Sequence, residues 1–304
     1  MTVGRVREFV GRLLLATCLG NLIFAANQAG ATVTVKQQLA NASESEFREL
    51  QERARHGDAG AQAALGVAYE EGIHVAKDLA EAVKWYRRAA QQGSAEVQHH
   101  LATMYEEGRG VQLDFAEAAS WYRKASESGY APAQNNLGTM YREGRGVPRD
   151  FSQAAKWFEV AALQGDAQAQ SNIGYMYNYG EGVRQDYAEA VSWYRKSAAQ
   201  GFAIAQKNLG TMYALGQGVA KDEQEALRWF ARAAEGGVTR AWVNEALLYM
   251  EGSQIPRDYH RATELLTKAM SAGVVDAKPL LQNLVALQHQ STESQTADVA
   301  KPKR

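Results

Sequence analysis

The residues able to do chemistry are few, and their spacing argues against catalysis. The histidines, at 56, 74, 99, 100, 260 and 289, show no metal-ligand spacing. His99 and His100 are adjacent on one helical pattern and diverge by about 100°, so they cannot share an ion without help from another segment. Ser120, Ser152 and Ser192 are each followed by lysine four residues on, on one helix face of the repeat. That marks a repeat and not an activated nucleophile. Gly108-Arg109-Gly110 and its copies suggest a phosphate cradle, but they follow helix C-termini, which present carbonyls and not amides. The chain therefore reads as non-enzymatic, with no cofactor and no metal.

A different set of side chains points to recognition. Asn136, Asn172, Asn208 and Asn244 occupy one register. Asparagine is a poor helix former, so a column of four needs a reason. Its amide offers a donor and an acceptor to a bound peptide backbone; the alternative is that each satisfies a carbonyl of the adjacent repeat. The same helical wheel adds Thr139, Arg142, Lys207 and Thr211, with Ser171 and Asn178 beside them. Tyr175 and Tyr179 are candidate exposed aromatic anchors, whereas Tyr177 is core by register.

These positions must be held by a repeated frame. Gly57, Gly93, Gly129, Gly165, Gly201, Gly237 and Gly273 are spaced 36 residues apart without insertion or deletion. Such a period marks stacked supersecondary units, each completing the core of its neighbours. In the copy at 129–164 the first helix is expected over 131–143, with Ala133, Leu137, Met140 and Tyr141 on one face. Gly144 is its left-handed cap. Asp78, Asp114, Asp150, Asp186, Asp222 and Asp258 are expected to cap the second helices. With Glu81, Glu117, Gln153, Glu189 and Glu225 three residues later, they form candidate capping boxes in five of six copies. Alanines flank an aromatic pair on the second helix, as in Ala154, Trp157, Phe158 and Ala161. Gly66, Gly138, Gly174 and Gly210 lie mid-helix, where glycine costs about 1 kcal/mol, and imply close approach of the partner helix.

The pattern Ala-Gln-x-x-Leu-Gly-x-x-Tyr at 133–141, Gly144-x-Gly146-Val147-x-x-Asp150, then Ala154-x-x-Trp157-Phe158-x-x-Ala161-Ala162, resembles the Sel-1-like repeat family, relatives of tetratricopeptide repeats. The resemblance covers 57–272 as six copies. It implies an all-α, right-handed solenoid of antiparallel helix pairs, with a concave face lined by first helices, and an adaptor or regulator that contacts a protein or peptide. The asparagine column matches, by position, the asparagines that tetratricopeptide grooves use to hold an extended peptide. Cysteine-rich members staple each copy with a disulfide. This chain has one cysteine, Cys18, outside the repeats, so activities proposed for that branch are not carried over. His74 in copy one departs from the pattern, as do Ser253-Gln254-Ile255, Leu265-Leu266 and Glu245 in copy six.

Flanking segments complete the expected organisation. Residues 1–31 read as a signal peptide cut after Ala31, with Arg5, Arg7 and Arg12 before the apolar run 13–26. An uncleaved anchor is the alternative, although the run is short for a span. Leu15-Ala16-Thr17-Cys18 only faintly resembles a lipoprotein site. Residues 32–42 are expected as linker, 43–290 as the capped array and 291–304 as a disordered polar tail. A lone second helix is expected over 45–56 and a lone first helix over 273–288. Export places the mature chain in the periplasm or the medium, without stable membrane insertion. The formal net charge of −1 gives no footprint for nucleic acid. No pattern sets an oligomeric state.

Overall fold

The structure is a computed structural model that describes residues 35–286. The expected signal peptide and polar tail lie outside these residues. Among the described residues every regular element is a helix, and consecutive helices pack as antiparallel pairs into an all-α solenoid. The chain divides into two compact units, residues 1–161 and 162–304.

The first unit contains α1 (Val35–Asn41), α2 (Glu44–Arg55), α3 (Ala59–Glu71), α4 (Leu79–Gln91), α5 (Ala95–Glu107), α6 (Phe115–Glu127) and α7 (Ala131–Glu143). The division falls within α8 (Phe151–Leu163). The second unit contains α9 (Ala167–Tyr179), α10 (Tyr187–Ala199), α11 (Ala203–Leu215), α12 (Glu223–Glu235), α13 (Arg240–Glu251) and α14 (Tyr259–Ser271), then a helical stretch over 277–286.

Local signals set these bounds. Gly144 ends α7 at φ 72°, and its N–H donates to the Met140 carbonyl at 2.8 Å. Asp150 accepts the Gln153 amide at 3.0 Å, and the other five aspartates cap their helices in the same way. The reciprocal half of the expected capping box does not form in these copies. Each aspartate N–H already donates to the carbonyl of a tyrosine in the preceding helix, as Asp150 does to Tyr141 at 2.9 Å. The freed acids turn elsewhere: Glu117 accepts the Trp121 indole N–H at 3.0 Å, and Glu81 pairs with Lys84 at 2.7 Å. A complete capping box does occur at Ser43 and Glu46, at the start of α2.

Packing follows the small-residue register. A Cβ on Gly138 would sit 2.8 Å from the Phe158 ring, and one on Gly210 2.7 Å from the Phe230 ring. The second aromatic of each pair therefore occupies the glycine's space. Tyr122, Phe158, Tyr194 and Phe230 are almost wholly buried. Trp157, expected to be buried, is only partly so and lies at the edge of the first unit's core.

A buried glutamine column fastens each pair to the one before it. Gln62, Gln98, Gln134, Gln170 and Gln206 each donate from Nε2 to a carbonyl eight residues earlier, at 3.0 to 3.3 Å. These bonds add a second donor to carbonyls at the C-terminal ends of second helices, each of which also accepts the amide of the glycine three residues on.

The N-terminal end carries two helices before the first repeat. In α2, Phe47, Leu50 and Ala54 are buried as expected for an unpaired second helix. Within the expected linker, Val35–Asn41 forms α1 instead. Leu39 is buried there, and its carbonyl bonds to His74 Nε2 at 2.9 Å. His74 also stacks on Phe47, with ring centroids 4.8 Å apart. The loop conformation that copies two to five reserve for glycine is thus held in copy one by a residue at φ 60° with partners on both sides.

Candidate recognition face on the first helices

On α7, Asn136 is half-buried, and its Nδ2 donates to His99 Nε2 at 3.2 Å. Its amide also bonds to the Tyr122 hydroxyl, which takes a further 3.0 Å contact from Thr103 and donates to Glu106 at 2.7 Å. Thr139 turns its hydroxyl back to the Asn135 carbonyl at 3.2 Å. Arg142 is half-buried, with its guanidinium over the Phe158 ring.

The neighbouring histidines diverge as the helical wheel requires. His99 faces the rings of Tyr122 and Tyr130. Burial first, and then the adjacent His100, lower its pKa to about 4. It is therefore neutral at physiological pH and free to accept from Asn136. His100 occupies the register of the asparagine column and contacts Glu70 at 2.9 Å. Tyr86 donates to the same carboxylate at 2.7 Å, and Arg109 reaches it at 2.5 Å. Burial opposes ionisation of Glu70, but the bonds from His100 and Tyr86 and the charges of His100 and Arg109 outweigh it. The pKa falls to about 2.

In the second unit Asn172, Asn208 and Asn244 are half-buried at one register of α9, α11 and α13. Asn208, with Asn178, bonds to the Tyr194 hydroxyl. Burial first, and then the neighbouring Tyr179 and Tyr175, push that phenol's pKa far up. The Tyr175 and Tyr179 rings lie 4.4 Å apart, and Tyr179 is 60% exposed. Lys207 is half-buried, and Thr211 donates to its carbonyl at 3.1 Å. Tyr177 packs against the core, as its register requires.

Asn136 and Asn208 thus bond within the solenoid, to tyrosine hydroxyls on the second helix of the preceding repeat rather than to its carbonyls. A sequence signal for this exists. The three copies with tyrosine at the glycine-facing position place Glu70, Glu106 or Asn178 sixteen residues earlier. The copies with Phe158 and Phe230 place Arg142 and Ala214 there, and neither accepts.

No group of three or more His, Cys, Asp or Glu able to hold a metal occurs among the described residues. No helix among them is long and apolar enough to cross a membrane.

The Sel1 repeat matches at residues 59–94, 95–130, 131–166, 167–202, 203–238 and 246–274. The chain belongs to the Sel1 repeat family. The shortened sixth match coincides with the degenerate copy at Glu245 and Ser253-Gln254-Ile255. Among solved structures, this Sel1 protein is similar to a protective antigen present in uropathogenic Escherichia coli strains and displaying an SLR fold. The identity is 31% and the TM-score 0.74, over 93% of this chain and 59% of that one. It is also similar to a Sel1 repeat protein from Oxalobacter formigenes, with 32% identity and a TM-score of 0.66, over 74% of this chain and 90% of that one. No curated protein matches the sequence. Sel1 repeat proteins generally act as protein-interaction scaffolds.

Proposed function

We propose that this Sel1 protein is an exported, non-catalytic adaptor or regulator that holds a protein or peptide partner along its first helices, acting in the periplasm. The observation that carries the reading is the exposed Tyr179 on a first helix, beside a half-buried polar column through Asn172, Asn208 and Asn244. An amide at fixed depth on successive helices can match the repeat of an extended backbone. The basic and apolar opening of the sequence supports export. A cell-wall or lactam hydrolase is the weaker alternative, because the face holds no nucleophile paired with a base.

A photocrosslinking residue placed at Thr211 or Tyr179 tests the reading in cells, with mass spectrometry of the adducts. A specific protein adduct at both positions is expected. Adducts no more specific than those from an exposed second-helix position such as Arg195 would overturn it. Alanine at Asn208 is the poorer probe, because it also strips a bond from Tyr194.

A second reading is a secreted host-interaction protein, favoured by the likeness to the protective antigen. Fractionation into periplasm and medium separates the two.

A further inference from the structure

One ridge of each first helix can be followed at i, i+4 and i+8 through all six copies. It reads Ala63–Val67–Glu71, His99–Thr103–Glu107, Asn135–Thr139–Glu143, Ser171–Tyr175–Tyr179, Lys207–Thr211–Leu215 and Val243–Leu247–Glu251. Four of the six end on glutamate. The two that do not are neighbours in the second unit, where Tyr179 is 60% and Leu215 61% exposed. Large apolar side chains at a solvated register otherwise held by glutamate are not needed for stacking, since the other copies stack without them.

The opposite end of the α11 ridge carries a second departure. Lys207 stands where other copies place His99, Asn135, Ser171 or Val243. It is half-buried, and no carboxylate among the described residues pairs with it. Arg240, the charged group that bears on it, has the same sign and is itself paired with Asp276. Burial and then Arg240 both disfavour its protonated form. Neither α9 nor α11 contains an acidic residue. In the first unit, by contrast, Glu70 and Glu106 at the ends of α3 and α5 are matched by Arg109 and Arg145 from within the protein. The second unit therefore presents a cation without a counter-charge at one end of a ridge and exposed apolar side chains at the other.

We propose that this ridge takes an extended peptide whose acidic side chain meets Lys207 and whose apolar or aromatic side chain lies on Leu215 and Tyr179. Eight residues of helix span about 12 Å at 1.5 Å per residue. An extended strand covers that distance in roughly four residues at about 3.3 Å each. The partner motif is thus an Asp or Glu followed or preceded, about four positions away, by a large apolar residue. A neutral peptide would leave the half-buried ammonium uncompensated, which gives selectivity and not affinity alone. The inference rests on the adaptor reading and gives it a ligand chemistry.

The test selects a displayed random peptide library on the full chain, then measures a synthetic peptide from the enriched pool by fluorescence anisotropy. Enrichment of an acidic residue about four positions from an apolar one is expected. Changing that acid to its amide should weaken binding tenfold or more. Lys207→Asn and Leu215→Glu should each weaken it by a similar factor. Both place at these positions what other copies carry, Asn135 and Glu143, so folding is preserved, and unchanged circular dichroism melts verify it. With Lys207→Asn the acid and amide peptides should bind alike. Equal affinity of wild type for the two peptides, or indifference to Lys207→Asn, would sink the proposal. If in-cell adducts at Thr211 persist while the partner ignores Lys207→Asn, the anchor fails and the adaptor reading stands. If no adduct forms at all, both fall.

Discussion

Glu223 and Gln254 hold each other across the junction of the fifth and sixth copies. The fully buried Glu223 carboxylate accepts the backbone amides of Gln254 at 2.7 Å and Ile255 at 3.2 Å. The Gln254 side chain in turn accepts the Glu223 amide at 3.0 Å. Ser253 and Lys221 complete the shell of the carboxylate, at 2.5 and 2.9 Å. Other junctions solve the same problem with a glycine. A Cβ on Gly110, Gly146 or Gly218 would collide with the first carbonyl of a preceding second helix, at Leu79, Phe115 or Tyr187. Copy six lacks that glycine and uses a buried anion instead.

Replacing Glu223 by Leu should lower stability by about 1–3 kcal/mol, because the Gln254 and Ile255 amides lose their buried acceptor. The double variant Glu223→Leu, Gln254→Gly rebuilds the Leu79–Gly110 type of junction and should recover most of that loss. Chemical denaturation of the four proteins checks it; strictly additive effects would contradict the coupling.

Acid should weaken the two glutamate sites in a defined window. Burial opposes ionisation of Glu223, but bonds from Lys221, Ser253 and the Gln254 and Ile255 amides lower its pKa from 4.5 to about 2. A lowered carboxylate pKa stabilises the fold fully above the unfolded value, and that contribution drains away as pH falls from about 4.5 towards 2. Glu70 behaves alike. Melting temperatures of wild type and Glu70→Gln should converge as pH drops through this window.

His99 gives a separate effect at higher pH. Its folded pKa, lowered from 6.5 to about 4 chiefly by burial, means the unfolded chain takes up the proton first. Its contribution is complete above pH 6.5 and declines as pH falls towards 4, by about 1–3 kcal/mol in all. In His99→Asn, which copies Asn135, the decline between pH 6.5 and 4.5 should be smaller than in wild type.

Phe230→Tyr should be destabilising by about 1 kcal/mol, since the new buried hydroxyl would meet Ala214 where Tyr122 and Tyr194 meet Glu106 and Asn178, leaving Thr211 and Asn244, the counterparts of Thr103 and Asn136, to bond it. Adding Ala214→Asn, as at Asn178, should restore part of the loss. Thermal melts of the single and double variants decide it.

Gly146→Ala and Gly129→Ala should differ sharply. Both glycines have positive φ, at 67° and 85°. A Cβ at Gly129 meets nothing within 4 Å, so only the backbone preference of about 1–2 kcal/mol is lost. At Gly146 it strikes the Phe115 carbonyl, and the loss should be clearly larger. Equal melting shifts would refute the close approach.

What the sequence made legible was whatever one helix pair decides within itself. Gly144 as a left-handed cap, Asp150 as an N-cap and Gly138 against Phe158 involve residues within about half a period, and six copies repeat the same message. The capping boxes failed because the Asp150 amide goes to Tyr141 in another helix, a bond no local pattern displays. Asn136 stands out in sequence as a poor helix former, but its contacts to Tyr122 and His99 lie 14 and 37 residues away, in the preceding repeat. Glu223 went unnoticed because it looks like an ordinary first-turn acid. Its burial depends on Gln254, and only the two departures taken together reveal it.

The exchange between Glu223 and Gln254 also bears on how such a chain can change length by recombination. All six units share one length, so an in-register crossover deletes or duplicates whole units without a frame error. Within one compact unit, the junctions at Leu79–Gly110 and Phe115–Gly146 are of the same kind, and either can replace the other. A crossover that parts the fifth unit from the sixth would instead set Glu223 against a glycine, or Gln254 against a leucine or an aromatic residue. Gain and loss of units should therefore be tolerated before this junction and selected against across it, so that the last two units are inherited as a block.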